Sequence, residues 1–453
     1  MRSRWFVLCM AAFLAGCKVG PNYKRPVVQA PASFRAGESQ PTSASLGDTK
    51  WFDLFQDATL RGLIGQALQS NYDVHIAAQR VLGAEGQLKA TRSGLFPSLD
   101  GQGSISDSGI KSSIQRIGGG FLVASWEPDF FGKLRRASEA ARADLLAQEE
   151  NRKVVMQALV ADVASAYFDL LEYDTELRYV RESIGTRQQS VKLVAARVEG
   201  GVSNALDLDQ AKTLVASALA NAAQLEKAQT QTENLINFLL GRPPGEISRG
   251  RGLTEQPQPP QVPAGIPSAL LERRPDLRAA EQQLIASNAR VGVAKAMFYP
   301  SINLTAAGGA QTSDLLSVVN RAGAAWMYQA VLDVPIFDAG RRMGNYKTAK
   351  AQREELVFSY LKAIDGAFRD VSDALVGYQK NREYNSNQAV LAETLRHQSL
   401  LANNRYVGGV SSYLEVLDTE RQRLTAEQEL AQSQRDVLTS LVLLYKALGG
   451  GWQ

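Results

Sequence analysis

Cysteine and histidine are almost absent from this chain of 453 residues, which has two of each. Cys9 and Cys17 both stand near the N-terminus, so the remaining sequence offers no disulfide and no thiol chemistry. His75 and His397 are far apart, and no His-Glu-x-x-His run or Gly-rich phosphate loop accompanies them. The sequence therefore predicts structural roles for both histidines, no metal site and no catalytic site, and we expect that the protein is not an enzyme.

An excess of charge and long apolar runs are missing as well. The chain has 50 Lys and Arg against 46 Asp and Glu, without the clustered basic face that nucleic acid binding requires. After the first 16 residues no run of 18 apolar residues occurs, which predicts no transmembrane helix. Any part that spans a membrane must then be a β-barrel, because only helices and closed barrels satisfy the backbone in lipid.

The N-terminus has the pattern of an exported lipoprotein. Two arginines precede a short apolar run, small residues follow, and Cys17 comes directly after the expected cut, which predicts a signal peptide over residues 1–16. Cys17 would then carry an N-acyl chain (palmitate) and S-diacylglycerol. Several acyl chains together anchor a protein firmly, whereas a single chain holds it weakly. Lys18, in place of the Asp that retains lipoproteins in the inner membrane, favours the outer membrane, and residues 17–50 would form a lipid-anchored extended segment. The alternative is an ordinary cleaved signal followed by a chance cysteine.

The sequence repeats itself once. Residues 51–240 and 268–449 form two structural repeats, separated by a Pro- and Gly-rich linker over 241–267 and followed by a short tail, 450–453. At an offset of 208 the matching pairs include Arg197 and Arg405, Gly200 and Gly408, Gly201 and Gly409, and Leu206 and Leu414. At an offset of 206, Phe131, Arg135 and Arg136 match Phe337, Arg341 and Arg342.

Each repeat predicts the same elements in the same order. Apolar residues step by three and four from 159 to 198, with Arg187 as the exception, which is the spacing of a coiled coil. A helix over 133–199 would be roughly 100 Å long. The expected moderate helices are 57–93 and 268–297, and the expected long helices are 133–199, 205–240, 340–406 and 413–448. The expected strands lie near 97–106, 119–128, 301–310 and 325–335.

The four expected strands are Gly- and Ser-rich, with aromatic residues near their ends, which is the weak signal of an outer-membrane barrel. Four strands cannot close a barrel, and an open sheet would leave unpaired backbone groups in lipid. Several chains must therefore share one barrel. Two chains would give eight strands and three would give twelve, and the spacing leaves both open.

Several sequence blocks across the mature chain resemble one family. The blocks are Cys17-Lys18-Val19-Gly20-Pro21-Asn22-Tyr23, Trp51-Phe52-Asp53-Leu54-Phe55, Glu272 to Glu281, Phe298-Tyr299-Pro300-Ser301-Ile302, and Pro335 to Arg342. By these motifs the chain resembles the outer-membrane factor (TolC-like) family, in its NodT/OprM-like branch of efflux lipoproteins.

The resemblance implies a mainly α-helical homotrimer with a shared twelve-stranded membrane β-barrel and a long coiled-coil periplasmic tunnel. It would be lipid-anchored in the cell outer membrane of a Gram-negative bacterium. It implies a passive exit duct for drugs or other small molecules in a tripartite pump, with a periplasmic adaptor and an inner-membrane transporter of the resistance-nodulation-division type. The alternatives are a duct for type I protein secretion or metal efflux, and a structural lipoprotein that spans the envelope without a channel.

The resemblance also implies a periplasmic gate at Leu414, Glu415, Asp418 and Arg421, with Arg421 tying neighbouring helices. Glu415 and Asp418 are three residues apart and share a helix face, so symmetric copies would form an acidic ring, which selects cations and constricts a pore. The plain alternative is that these acids are helix-start residues favoured by the helix dipole.

Paired glycines mark the two expected helix–helix turns, at Gly200-Gly201 and Gly408-Gly409. Glycine permits the positive φ that a tight turn requires. The functional interpretation is that the same turns contact the adaptor.

Overall fold

The computed structural model describes residues 18–35, 45–110, 113–257, 262–312 and 324–452. The expected signal peptide and lipidation site Cys17 lie outside these residues, as do parts of the N-terminal segment and of the linker. The described chain is mainly α-helical. Its helices are α1 (Trp51–Leu54), α2 (Ala58–Ser70), α3 (Tyr72–Ser93), α4 (Lys133–Glu199), α5 (Ala205–Leu239), α6 (Leu270–Arg273), α7 (Pro275–Ala296), α8 (Arg341–Val407) and α9 (Tyr413–Ala447).

The helices of the two halves have equal lengths. Helices α3 and α7 each have 22 residues, α4 and α8 each have 67, and α5 and α9 each have 35. The long helices α4 and α8 begin at Lys133 and Arg341, which are 208 residues apart. The structural offset between the two helices is therefore 208 and not 206. Arg136 in α4 corresponds to Gly344 in α8, and not to Arg342.

Both expected moderate helices are interrupted. The first one breaks at Asn71, whose side-chain oxygen accepts hydrogen bonds from the backbone N–H groups of Asp73 and Val74 at 2.8 and 3.2 Å and so starts α3. The second one breaks at Arg274, because the following Pro275 disfavours the helical conformation of the residue before it.

Contacts divide the chain into two compact units, and each unit draws on both halves of the sequence. The first contains residues 18–28, 78–151 and 277–363, and the second contains residues 29–77, 152–276 and 364–452.

The first unit contains a four-stranded antiparallel sheet with strand order β1-β2-β3-β4. The strands are β1 (Ser98–Ile110), β2 (Ser113–Trp126), β3 (Ser301–Thr312) and β4 (Ala324–Asp333). Strand β2 begins before the expected 119 and ends before 128, and β1 continues past 106, so the first hairpin is longer than the sequence indicated.

One face of this sheet is apolar. Residues that are directly opposite in antiparallel pairs share a face, and the pairs Leu99–Ala124, Leu122–Gly308 and Gly308–Trp326 place one connected set on one side. The apolar side chains of this set larger than alanine are Leu99, Ile105, Leu122, Trp126, Ile302, Leu304, Trp326, Tyr328 and Leu332, and the polar residues Asp107 and Thr312 share the same face. Most of them are exposed in this chain.

The other face of the sheet is more polar. Its polar residues include Asp100, Gln102, Ser104, Asn303, Thr305, Gln311, Gln329 and Asp333, and its larger apolar residues include Phe121, Val123, Met327 and Val331. An apolar face opposite a polar one is typical of strands with lipid on one side and water on the other. Among the described residues, β1 pairs only with β2, and β4 pairs only with β3. The sheet therefore presents two edges with unpaired backbone groups.

The second unit has a core of aliphatic and aromatic side chains between α2, α4, α5 and α9, with Leu60, Ile64, Tyr167 and Leu170 almost fully buried. By length and composition α4 contains an 18-residue window apolar enough to cross a membrane, which differs from the expectation of no such segment. Most of that window is buried within the chain, as in the core helix of a folded domain.

A buried carboxylate joins the linker to this core. Asp57 is 1% exposed and caps α2 by accepting hydrogen bonds from the N–H groups of Thr59 and Leu60. Its other oxygen accepts hydrogen bonds from the Tyr167 hydroxyl at 3.1 Å, from the Arg251 N–H at 2.9 Å and from Gln256 Nε2 at 2.9 Å. Burial alone would raise the pKa of Asp57, and these donors hold it below its ordinary value.

Candidate gate at the helix-hairpin ends

Two hairpins in the second unit, α4–α5 and α8–α9, carry the candidate site residues. The α4–α5 turn closes with hydrogen bonds from the N–H of Gly201 to the carbonyl of Val198 and from Val202 to Arg197, at 3.0 and 2.8 Å. The α8–α9 turn repeats them, from Gly409 to Tyr406 and from Val410 to Arg405 at 3.0 and 2.9 Å. This is the usual glycine-terminated helix end, in which the last carbonyls are satisfied by the turn.

Only the second glycine of each pair has the left-handed conformation. Gly201 and Gly409 both have φ of +73°, whereas Gly200 and Gly408 do not have positive φ. A Cβ on Gly408 would lie 3.4 Å from the carbonyl oxygen of Asn404, which is ordinary contact. Gly201 and Gly409 therefore supply the positive φ that each turn requires.

An apolar cluster holds the two hairpins together near their ends. Tyr406 of α8 and Tyr413 of α9 stack edge to face with ring centroids 5.3 Å apart, and both are buried with Val194 of α4 and Ala211 of α5. Burial, and then the neighbouring Tyr406, raise the pKa of Tyr413 to about 12, so its hydroxyl stays neutral.

Arg197 at the end of α4 ties the first hairpin to the second. Its guanidinium lies 4.4 Å from the ring centre of Tyr406, and it donates to the carbonyls of Tyr406 and Val407 at 3.1 and 3.0 Å. These are the last carbonyls of α8, where a cation is favoured by the helix dipole.

Glu415, a candidate gate residue, faces the preceding helix. Its carboxylate lies 3.4 Å from Nε of Arg405, so an ion pair joins α8 to α9 inside one hairpin. Arg405 is the counterpart of Arg197 in the repeat, and the two equivalent arginines have different partners. Both side chains of this pair are more than 40% exposed, so solvent screens the interaction.

Asp418, the second candidate acid, has its partners on its own helix. Its carboxylate accepts hydrogen bonds from Arg421 at 3.2 Å and from Gln422 at 2.6 Å. Arg421 therefore pairs within α9 in the single chain, and the described ion pair between adjacent helices here is Arg405–Glu415. Leu414 is 60% exposed, so all four candidates lie on the accessible surface of one chain.

A buried ionic cluster follows further along α9, and the sequence analysis missed most of it. Arg423 donates to Glu420 at 2.9 Å and to Glu427 at 3.2 Å, and Arg396 of α8 donates to Glu427 at 3.1 Å. Arg187 of α4 is 5% exposed and donates to the carbonyl of Leu214 in α5 at 2.9 Å.

Burial lowers the pKa of Arg187, and the charge of Glu420 opposes that shift. Arg187, the polar exception in the heptad pattern, was the sequence signal that could have indicated this cluster. A buried ion cluster fixes which helix faces meet more than it adds stability.

The described residues contain no group of three or more His, Cys, Asp or Glu side chains that could hold a metal ion. Glu415 and Asp418 are paired with arginines, whereas Asp207 and Asp209 of the other hairpin are paired with Ser203 and Lys212. The end of the α8–α9 hairpin thus presents exposed charged side chains. A pair of stacked tyrosines and a buried ion cluster hold the helices that carry them.

Comparison with known proteins gives the family. A model of the family described as "Outer membrane efflux protein" matches residues 63–242 and 266–450. The chain is 35% identical to the cation efflux system protein CusC of Escherichia coli O6:H1, over 98% of each chain. It is also 35% identical to the solvent efflux pump outer membrane protein SrpC of Pseudomonas putida, over 97% of this chain and 96% of that one.

A solved structure has the same fold. The open state of the Neisseria gonorrhoeae MtrE outer membrane channel superposes with a TM-score of 0.88 at 30% identity, over 96% of this chain and 99% of that chain. The predicted family and the mainly helical fold with antiparallel strands are confirmed. The chain belongs to the outer membrane efflux protein family, whose members are outer-membrane channels of efflux pumps.

Proposed function

We propose that this protein is the exit duct of a tripartite pump and that three copies passively conduct drugs or other small molecules across the outer membrane. The observation that carries the proposal is the four-stranded sheet, with one mainly apolar face, one more polar face and two edges that no described strand pairs. Closing the sheet with copies of itself pairs every edge, which lipid requires. Polar residues then line the lumen and apolar residues meet the acyl chains.

The number of copies follows from the family rather than from one chain. Two copies would give eight strands and three would give twelve, and the trimer is the state that the resemblance to outer-membrane factors implies. Exposed apolar side chains along α8, among them Val390, Leu391 and Leu400, support burial against a neighbouring copy. Native mass spectrometry of the detergent-solubilised protein measures the number of copies directly.

Lipid attachment at Cys17 and the pump partners belong to the same proposal. The sequence features that support lipid attachment at the outer membrane are the small residues before Cys17 and Lys18 directly after it. The hairpin ends expose Val202, Leu206, Val410 and Leu414, which is an apolar surface that suits contact with a periplasmic adaptor. The adaptor would connect the duct to an inner-membrane transporter of the resistance-nodulation-division type.

The relatives differ in what their names say they export, so likeness does not choose a substrate. CusC is described as a cation efflux protein and SrpC as part of a solvent efflux pump, at the same identity to this chain. Metal export is therefore the second candidate for this duct. Growth of a strain that lacks the gene, in organic solvents and in metal salts, distinguishes the two.

Single-channel conductance tests the duct and its gate together. We expect the double variant Glu415→Ala with Asp418→Ala to conduct more than the wild type in a planar bilayer, because the acids and their arginine partners constrict the hairpin ends. Asp207→Ala with Asp209→Ala, at the start of α5, is the matched control and should leave conductance unchanged. Equal conductance of the wild type and the gate variant in an assembled oligomer would contradict the gate.

A third variant separates closure from ion selection. Arg405→Ala removes the partner of Glu415 and keeps the acid. If the ion pair closes the channel, Arg405→Ala should raise conductance as the acid variant does. If the acids select cations, Arg405→Ala should increase cation selectivity and the acid variant should decrease it.

A further inference from the structure

The first described residues of the mature chain, 18–25, form a strap on the first compact unit. Near the start of the strap, the N–H of Val19 donates a hydrogen bond to the carbonyl of Phe131 at 3.2 Å. Phe131 lies in the short loop between the end of β2 and the start of α4. The strap is therefore fixed at the junction between the sheet and a long helix.

Arg136 is the residue that holds the strap. It is 0% exposed, and its guanidinium donates to the carbonyls of Val19 and Gly20, both at 3.2 Å, and to the side-chain oxygen of Asn22 at 2.9 Å. Its remaining nitrogen donates to Glu139 at 2.9 Å, and Lys18 of the strap also pairs with Glu139. A buried guanidinium with a paired carboxylate and all nitrogens engaged is a built site for a backbone segment.

The socket, which is the set of residues of α4 and α7 that contact the strap, depends on glycines. They allow the backbone of the strap to lie close to α7, and α7 to lie close to Arg136. A Cβ on Gly20 would lie 2.5 Å from the Cα of Gly292, and Gly20 has φ of +103°. A Cβ on Gly292 would in turn lie 2.9 Å from the Cδ of Arg136. At the position in α8 that corresponds to Arg136 stands Gly344, which has no side chain to hold a strap, and a Cβ built there would meet no atom beyond its own helical turn within 4 Å, so the arrangement belongs to the first repeat.

The other end of the strap is tied as well. The carbonyl of Pro21 accepts a hydrogen bond from Asn288 at 2.9 Å. Glu281 accepts hydrogen bonds from the Tyr23 hydroxyl at 3.0 Å and from Arg25 at 2.7 and 2.5 Å. The strap is thus bound along its whole length by side chains of α4 and α7.

We propose that Arg136 is a positioning residue that transmits the pull of the lipid on Cys17 to the sheet, so that the strap sets the depth of the strands in the membrane. The proposal rests on lipidation at Cys17. Two residues of chain, at ~3.5 Å each, and the 3.2 Å hydrogen bond of Val19 limit the distance from Cys17 to the carbonyl of Phe131 to ~10 Å. The acyl chains would then enter the membrane beside the point where β2 ends.

The length of free chain between Cys17 and the first fixed residue depends on the contacts of Arg136. If the strap were released as far as Arg25, eight residues of slack would let Cys17 move by ~28 Å, close to the ~30 Å thickness of the hydrocarbon core. A lipid on such a tether would hold the protein near the membrane without fixing the strands in depth. A short strap that is bound along its length couples insertion of the lipid to insertion of the sheet at a fixed depth.

A double-mutant cycle tests the proposal in the full-length protein. Arg136→Met is made alone and together with Cys17→Ser, and the yield of assembled oligomer in outer-membrane fractions is measured with palmitate incorporation. We expect Arg136→Met to keep palmitate and to lose assembled oligomer roughly tenfold, the scale of a lost charge-assisted hydrogen bond. In the Cys17→Ser background the same change should have little further effect.

Other outcomes overturn the proposal in distinguishable ways. An equal loss in both backgrounds would make Arg136 a folding residue independent of the lipid, and no loss in either would remove its role altogether. Absence of palmitate in the wild type would refute lipidation itself.

Gly20→Ala keeps the test usable if Arg136→Met fails to fold, because it alters the strap without changing α4. Trypsin should cleave at Lys24 faster in Gly20→Ala, whereas Arg135→Met, at a neighbouring arginine that binds Asp129, is the matched control and should cleave at the wild-type rate. Unchanged cleavage in Gly20→Ala would count against a clamped strap.

Discussion

Replacing Asp57 with Asn is expected to release the linker segment around Arg251 from the second compact unit. The carboxylate is buried, and three donors converge on its second oxygen, from Tyr167, Arg251 and Gln256. Asparagine keeps the first oxygen that caps α2, but it places an NH2 group where those three donors point. The variant therefore removes charge-assisted hydrogen bonds and adds a donor facing donors.

The magnitude follows from the partners that are lost. Hydrogen bonds to a charged group contribute about 1.5–3 kcal/mol each, and breaking a buried charged network costs about 3–5 kcal/mol. Since about 1.4 kcal/mol corresponds to a factor of ten, local opening should become easier by roughly two to three orders of magnitude. Tyr167→Phe keeps the carboxylate but removes one of its donors and the acceptor of the Gly250 N–H, so its effect should be about tenfold at the Arg251 amide and larger at the Gly250 amide.

Hydrogen–deuterium exchange at the Gly250 and Arg251 amides measures this opening. The N–H of Gly250 donates to the Tyr167 hydroxyl at 2.8 Å and that of Arg251 donates to Asp57, so both report on the network. Wild-type exchange at both amides in Asp57→Asn would refute the reasoning.

The pH dependence has a definite sign. The folded pKa of Asp57 lies below its ordinary value of 3.8, so the unfolded state binds more protons, and the stabilisation is present above that value and lost as the pH falls further.

Two further changes test the hairpin turn and a buried acid. Gly409→Ala should cost about 1–2 kcal/mol because of its positive φ, whereas Gly408→Ala should be neutral or stabilise by about 0.4–1 kcal/mol, and thermal unfolding followed by circular dichroism compares them. Equal melting temperatures would contradict the turn geometry. Burial raises the pKa of Glu172 to about 8; the charge of Arg435 opposes this shift and that of Glu176 adds to it. The folded state therefore binds more protons than the unfolded state, and stability should fall as the pH rises from about 4.5 to about 8. Glu172→Gln should flatten that fall in urea unfolding, and an unchanged slope would show that Glu172 does not titrate there.

The long helices could be predicted almost to the residue because their signals are local. Apolar residues at heptad spacing run to 198 and Gly200-Gly201 stops the helix, and α4 spans Lys133–Glu199 as expected. In α8 the apolar pattern weakens after Tyr378, yet the helix continues to Val407, because no Gly or Pro interrupts it. Several apolar residues of that part, such as Tyr384 and Val390, face outward in the single chain.

The contacts that hold the candidate sites could not be predicted from sequence because they join distant segments. Asp57 meets a linker about two hundred residues away, and Arg136 meets a strap more than one hundred residues before it. A lone Asp or Arg carries no local pattern that names its partner. The gate positions were identified from the resemblance, and that they form a gate is still a prediction. The ion pair of Glu415 with Arg405 was found only in the structure.

The interleaving of the two compact units constrains how such a chain can be made and altered. Each unit is assembled from separated stretches of both halves, the first from 78–151 with 277–363 and the second from 152–276 with 364–452. Neither unit can close before its stretch from the second half of the chain is available, so the first half alone cannot complete either fold. Recombination that exchanged one half with a distant relative would cut through both units at once. A chimera that keeps each unit intact therefore needs a junction at every border of the units, near 28, 77, 151, 276 and 363, and not a single junction in the Pro-rich linker.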